Sequence, residues 1–372
     1  MEKPIRTKSD LDTPCLILDL DILESNLLRM QTAVSQAGKN LRPHAKTHKC
    51  SSLARRQIET GAIGICAAKV SEAEALVKAG LRGILITGPV PTAAKIRRLL
   101  DLLALDPALM VVLDHREGID RLEAALSERG LSMDVLVDVD VGLHRTGVIP
   151  SEAVGLAEYI LTRKNLRLRG IQAYAGQVQH IPSFEERKIA SHQSLQKAVP
   201  LFRELRGRRE DCTIFSASGT GTFDIDLSVP EVTELQVGSY ACMDVEYLDI
   251  GSIKNEKQFS AFGPALRLLT TVVSANQRGL VTVDAGLKSL YKDGGTPRIF
   301  GSEYSGMIYT WFGDEYGMVF STEDRDLPRI GTVLELVTSH CDPTINLFDR
   351  FYLVRGNEVV EVWPIDLRGC SQ

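Results

Sequence analysis

Eight short apolar runs, each separated from the next by a stretch with helical periodicity, limit what this chain can fold into. They occupy residues 41–45, 63–67, 83–87, 109–113, 135–139, 168–174, 213–216 and 234–237. Apolar runs of this length, bounded by turn residues, read as strands covered on both faces, which is how parallel sheets are built. Strand and helix alternating eight times is the pattern of an α/β fold closed as a (β/α)8 TIM barrel. The connecting helices are expected at 93–103, 117–129 and 184–205, each with an apolar stripe. Ser71 followed by Glu74 reads as a capping box for another, with Gly80 as its stop. Ahead of the barrel, residues 13–18 read as a strand leading into a helix that runs to about Ala37.

Past Gln258 the rhythm changes. Runs at 265–273, 279–283, 332–338, 351–354 and 359–363 are β-rich, separated by turn chemistry and with few helical windows, so a C-terminal antiparallel β domain should follow the barrel. The expected division is a barrel over 27–257 and a β domain over 1–26 and 258–372, with the first strand pairing into the latter. A formal net charge of -5 with both signs interspersed excludes the basic footprint of a nucleic-acid binder. No apolar run approaches the ~18 residues of a membrane span, and the charged N-terminus lacks an apolar signal core. The seven cysteines are scattered, with no C-x-x-C pair. A disulfide framework or zinc knuckle is not expected, and a reducing, cytoplasmic setting is.

In a barrel the chemistry gathers where strands end. Along 41–46 the period of two sends Arg42, His44 and Lys46 to one face, a costly arrangement unless an acid meets them. Lys46 is the last residue before the loop. A lysine at an apolar barrel mouth loses hydration, and its amine becomes a nucleophile toward carbonyls, which is how a protein holds an aldehyde cofactor. Taken alone, Lys46 reads first as one of many solvated lysines at a strand end. The seventh run is followed by Ser218-Gly219-Thr220-Gly221-Thr222 and the eighth by Gly238-Ser239-Tyr240. Alternating glycines and hydroxyls offer donors to an anion, at the two loops where barrels most often seat a phosphate. They are also ordinary turn residues, and no G-K-[ST] follows that would make either a nucleotide loop.

The fifth run leads to Arg145 between glycines, able to reach a phenolate or carboxylate. The sixth leads to Tyr174 and His180, the latter a candidate base near neutral pH. In the β domain, His340 and Asp342 at i and i+2 are expected to point the same way along an extended segment. Imidazole plus carboxylate suits a divalent ion with positions left open for substrate, although the pair on its own reads first as an incidental turn. The turn containing Gly313, Asp314 and Glu315 reads first as a solvated acidic turn.

Together these motifs resemble the D-threonine aldolase and D-serine dehydratase family, fold-type III pyridoxal phosphate enzymes related to alanine racemase. The likeness rests on Arg42-Pro43-His44-Ala45-Lys46-Thr47-His48-Lys49, Tyr174 with His180, the 218–222 loop, Gly313-Asp314-Glu315 and His340-Cys341-Asp342-Pro343-Thr344. It implies that Lys46 bonds the aldehyde of pyridoxal 5'-phosphate, and that 219–222 and 238–240 hold its phosphate. It also implies Arg145 at the O3' oxygen, Tyr247 near the pyridine nitrogen, His340 and Asp342 as metal ligands, and Asp314 in support. The metal implied is Mn or Mg first, with Zn or Co as further candidates. Dehydratases of the family resemble one another in having cysteine at the second ligand position and aldolases in having aspartate, so Asp342 points to an aldolase. The implied reaction is metal-dependent retro-aldol cleavage of a small D-β-hydroxy-α-amino acid, D-threonine or D-3-hydroxyaspartate, with His180 as base, in a homodimer. Dehydration of D-serine or D-3-hydroxyaspartate, non-catalytic cofactor binding, and a barrel hydrolase without the aldehyde cofactor are the competing readings.

Overall fold

Eight parallel strands form the first of two sheets in the computed structural model, which describes residues 6–323 and 325–372. The chain divides into two compact units. One comprises Arg29–Lys46, Leu53–Gly238 and Gly369–Gln372, and the other the N-terminal segment to Leu28, Thr47–Ser52 and Ser239–Arg368.

The first unit is a TIM-like barrel. Its strands are Asn40–Leu41, Ile65–Ala67, Ile84–Ile86, Met110–Leu113, Met133–Asp138, Leu166–Ala173, Ile214–Ala217 and Glu234–Leu235, each paired in parallel along the sheet. The first strand pairs with the eighth through Asn40 and Glu234. The first and second strands meet where Ala45 N–H donates to the Cys66 carbonyl at 2.9 Å and Cys66 N–H to the Pro43 carbonyl at 2.8 Å. The near-continuous burial of these strands explains why they were legible as apolar runs. Gly170, at φ 144°, sits where the register between the fifth and sixth strands slips; a Cβ there would lie 1.8 Å from the Ile214 carbonyl oxygen. The acid that Arg42 needed is Glu234, whose two oxygens accept from the buried guanidinium at 3.1 and 3.2 Å.

Two helix expectations are corrected. Val70–Lys78 starts one residue ahead of Ser71, with no side-chain cap at Lys69. The Ser71 hydroxyl donates to the Gln372 carbonyl, Glu74 pairs with Arg98, and Glu72 accepts from Ala68 N–H. The single helix expected over 184–205 is two, Phe184–Gln196 and Val199–Arg208, because Pro200 fits only the first turn of a helix.

The second unit is built on a nine-stranded, mostly antiparallel sheet. Cys15–Asp19 lies inside it, antiparallel to Leu266–Ser274 and parallel to Arg350–Arg355. Among the described residues no helix is long and apolar enough to cross a membrane.

Candidate active site

The first barrel strand is shorter than the run expected over 41–45: it ends at Leu41, His44 adds one isolated bridge to Cys66, and Lys46, partly buried, lies in the turn that follows. Its N–H donates to His44 Nδ1 at 3.3 Å, and the other ring nitrogen of His44 lies 3.0 Å from the Thr87 hydroxyl. An accepting Nδ1 leaves Nε2 to carry the proton toward Thr87. The histidine next but one in sequence thus ties the main chain at Lys46 to the end of the third strand.

Beyond the seventh strand the chain takes a positive φ of 76° at Ser218 and enters a tight turn over Thr220–Thr222. Its glycines have a local reason to be glycine. A Cβ on Gly219 would sit 2.5 Å from Gln179 Oε1, and one on Gly221 2.0 Å from the Gln179 carbonyl oxygen. The close approach is thus to the loop after the sixth strand, the loop that ends in His180. Thr222 donates to the buried carboxylate of Asp226, which also accepts from Ser191. Burial pushes the Asp226 carboxyl up to about 6, against hydrogen bonds from Ser191, Thr222 and Ser218 that lower it. The folded state therefore holds this proton more tightly than the unfolded chain. The associated stability, on the order of 3 kcal/mol, is present below about pH 4 and lost as pH rises through 6. Urea unfolding of wild type and Asp226→Asn at several pH values should show the wild-type advantage shrinking across that window and level above it.

The loop after the fifth strand is shaped by Asp140, which accepts from Gly142 N–H at 2.9 Å and His144 N–H at 3.0 Å and meets the His144 ring at 2.8 Å. This presents Arg145 with its guanidinium carbon 5.9 Å from the centre of the Tyr174 ring. Two of the expected cofactor contacts thus lie side by side on neighbouring strand ends.

In the other unit, Ser239–Ala241 form a short turn in which Tyr240 is buried, its ring edge-on to Phe262 at 5.7 Å. Tyr247 is buried in the helix Val245–Leu248, whose cap Asp244 accepts from Tyr247 N–H at 3.1 Å. His340 and Asp342 do not alternate along a strand. His340 is extended and caps the helix Cys341–Ile345, and Asp342 lies in that helix's first turn, so a period of two does not apply across the junction. His340 Nδ1 is 3.2 Å from Asp293 Oδ2 and 3.8 Å from Glu246 Oε2. Cys341 is fully buried; its N–H donates to Asp244 at 2.8 Å and its thiol lies 3.5 Å from Asp342. Burial pushes Glu246 up, His340 opposes this, and Asp244, Asp293 and Asp342 add to it. An imidazole among carboxylates is a donor set that fits a divalent cation, which would relieve their mutual repulsion. Among the described residues, no group of three or more His, Cys, Asp or Glu side chains is arranged to hold a metal ion. Asp314 lies in the exposed turn between Met307–Trp311 and Gly317–Ser321, its carbonyl accepting from Lys288 N–H.

Asp244, missed in the sequence, joins the start of the His340 helix to the start of the Tyr247 helix through one buried carboxylate. If His340 and Asp342 hold a metal ion, as the resemblance implies, Asp244 is an outer group whose loss would cost about 10–100-fold in affinity. Asp244→Ala should weaken Mn2+ binding by that factor in a titration of free ion by electron paramagnetic resonance, with a smaller loss for Asp244→Asn. Asp293, Glu246, Gln179 and Arg187 were likewise overlooked. Each acts across a long sequence separation, and only the acidic Asp244-Val245-Glu246 run beside the expected Tyr247 offered a signal.

The model of the alanine racemase N-terminal domain matches residues 18–244, and that of a putative serine dehydratase domain matches 265–354. A D-threonine aldolase from Arthrobacter sp is 40% identical over 363 residues, covering 97% of this chain and 94% of the relative. A 3-hydroxy-D-aspartate aldolase from Paracoccus denitrificans (strain Pd 1222) is 36% identical, covering 98% and 94%. The D-threo-3-hydroxyaspartate dehydratase of Delftia sp. (strain HT23) is more distant, at 26% identity over 95% of this chain and 97% of the relative. The crystal structure of D-threonine aldolase from Filomicrobium marinum superposes with a TM-score of 0.93 at 36% identity, covering 100% of this chain and 99% of that one.

Proposed function

Because the chain belongs to the family that joins an alanine racemase N-terminal domain to a serine dehydratase domain and includes the D-threonine and 3-hydroxy-D-aspartate aldolases, we propose that it cleaves a D-β-hydroxy-α-amino acid to glycine and an aldehyde. The observation that carries this reading is likeness along nearly the whole chain to aldolases at 35–40% identity, while the dehydratases share 22–26%. Asp342 at the second ligand position agrees with it.

Pyridoxal 5'-phosphate, bound to Lys46, supplies the electron sink that makes the bond between Cα and Cβ breakable. Residues 218–222 and 238–240 offer main-chain and hydroxyl donors to its phosphate. Arg145, beside Tyr174, would offer its guanidinium to the O3' oxygen, and Tyr247 would lie near the pyridine nitrogen. His340 and Asp342 would hold the divalent cation, Mn or Mg before Zn or Co, and Asp314 would support them. His180 takes the proton from the substrate's β-hydroxyl. As that oxygen becomes a carbonyl, the electron pair of the Cα–Cβ bond stays with Cα, and a proton delivered there completes glycine. The active form is a homodimer, which light scattering of the eluting protein would register as twice the chain mass.

The match of 265–354 to a putative serine dehydratase domain favours one second reading, elimination of water and ammonia from D-serine or D-3-hydroxyaspartate. Incubation with D-threonine, D-3-hydroxyaspartate and D-serine, with and without chelator, separates the two. Metal-dependent glycine from either of the first two is expected. Ammonia and a keto acid with no glycine would replace the aldolase reading by the dehydratase one.

A further inference from the structure

Between the loop expected to hold the cofactor's phosphate and the loop that carries His180 lies a buried set of hydrogen bonds that neither function requires by itself. Gln179, 1% exposed, accepts from Gly221 N–H through Oε1 at 3.0 Å. Its amide nitrogen donates to the Thr222 hydroxyl at 3.0 Å and to the Ala175 carbonyl at 3.1 Å. Arg187, fully buried on the helix Phe184–Gln196, donates to the Gly221 carbonyl at 2.7 Å and, from another nitrogen, to the Ile181 carbonyl at 2.6 Å. His180 is therefore flanked in sequence by Gln179 and Ile181, and both are fastened to Gly221, one by side chain and one through a guanidinium. The Gln179 carbonyl also lies where a Cβ on Gly221 would stand.

Two loops joined on both sides of one residue cannot be displaced independently, and buried polar groups left without partners are costly, so the pair should shift together. We propose that Gln179 is a positioning residue that makes the placement of His180 depend on whether an anion occupies the 218–222 loop, so that the cofactor's phosphate sets the geometry of the base as well as anchoring the cofactor. This rests on the assignment of His180 and the 218–222 loop under the proposed function. It gives the phosphate a task that pyridoxal without phosphate could not perform.

The test follows the His180 side chain by nuclear magnetic resonance in the full-length protein freed of cofactor, with its signal assigned by its loss in His180→Gln. Inorganic phosphate, pyridoxal and pyridoxal 5'-phosphate are added separately to wild type, Gln179→Met and Gln179→Glu. The glutamate variant keeps an acceptor for Gly221 N–H and loses both donors; Arg187→Lys serves as a further variant should the Gln179 variants not fold. In wild type the His180 signal should move with inorganic phosphate alone and with pyridoxal 5'-phosphate, and by less than about a third as much with pyridoxal. In the variants the response to inorganic phosphate should fall to a similar fraction, while pyridoxal 5'-phosphate still binds, about tenfold more weakly. An equal response to pyridoxal, or an undiminished response to phosphate in the variants, would overturn the proposal. Failure of wild type to bind pyridoxal 5'-phosphate would instead count against the proposed function, and the inorganic phosphate titration would still decide whether the loops are coupled.

Discussion

Lys46→Ala is expected to lower kcat/KM for D-threonine cleavage at least about 10^4-fold, equivalent to ~5.5 kcal/mol of transition-state stabilisation, and to abolish the visible absorbance of the bound cofactor. The size of the effect follows from the two tasks placed on one amine. Under the proposed function it would hold the cofactor covalently in the ground state and would have to give way to substrate before the bond between Cα and Cβ could weaken. The next residue but one, His44, has its Nδ1 on the Lys46 main chain and its Nε2 beside Thr87. Free pyridoxal 5'-phosphate added to the variant would restore a fraction of binding through the phosphate loop. It would not restore turnover. Absorbance spectra and steady-state rates on the same preparation check both parts, and a variant that kept its colour and its rate would remove Lys46 from the chemistry.

His340→Ala, or exhaustive chelation of wild type, is expected to lower kcat about 10^3-fold while leaving the cofactor's absorbance in place. The separation of the two readouts is the informative part. The His340 imidazole has two carboxylates beside it, Asp293 at 3.2 Å and Glu246 at 3.8 Å, and under the proposed function its removal should spare the bond between Lys46 and the cofactor. Return of activity on adding Mn2+ or Mg2+ to chelated wild type, and no return in His340→Ala, would place the metal requirement on this residue. Loss of the absorbance band together with activity would show instead that the substitution acts through the fold.

The barrel was legible in the sequence because each of its strands is covered on both faces, so that 65–67, 84–86 and 110–113 read as unbroken apolar runs. The helix starts were less legible, since a capping signature is only four residues long and can arise by chance. Ser71 and Glu74 have the right spacing, yet the helix begins at Val70 and both side chains are engaged elsewhere. The same weakness affected His340 and Asp342. A spacing of two was read as one face of a strand, whereas Pro343, a residue tolerated in a helix's first turn, was the local sign that a helix starts there. The supporting groups could not have been found by spacing at all. Gln179 meets Gly221 across 42 positions and Asp244 meets Cys341 across 97. What they hold in place was visible as motif; that they hold it is a property of the folded chain.

The most direct measurement is reduction of the wild-type protein with borohydride in the presence of pyridoxal 5'-phosphate, followed by digestion and mass spectrometry of the peptides. The cofactor's mass should be found on the peptide containing Lys46, and prior exposure to D-threonine should diminish that label as substrate displaces the amine. Label carried by a different lysine, such as Lys49 or Lys197, with the Lys46 peptide unmodified, would contradict the placement of the cofactor and with it the proposed cleavage chemistry.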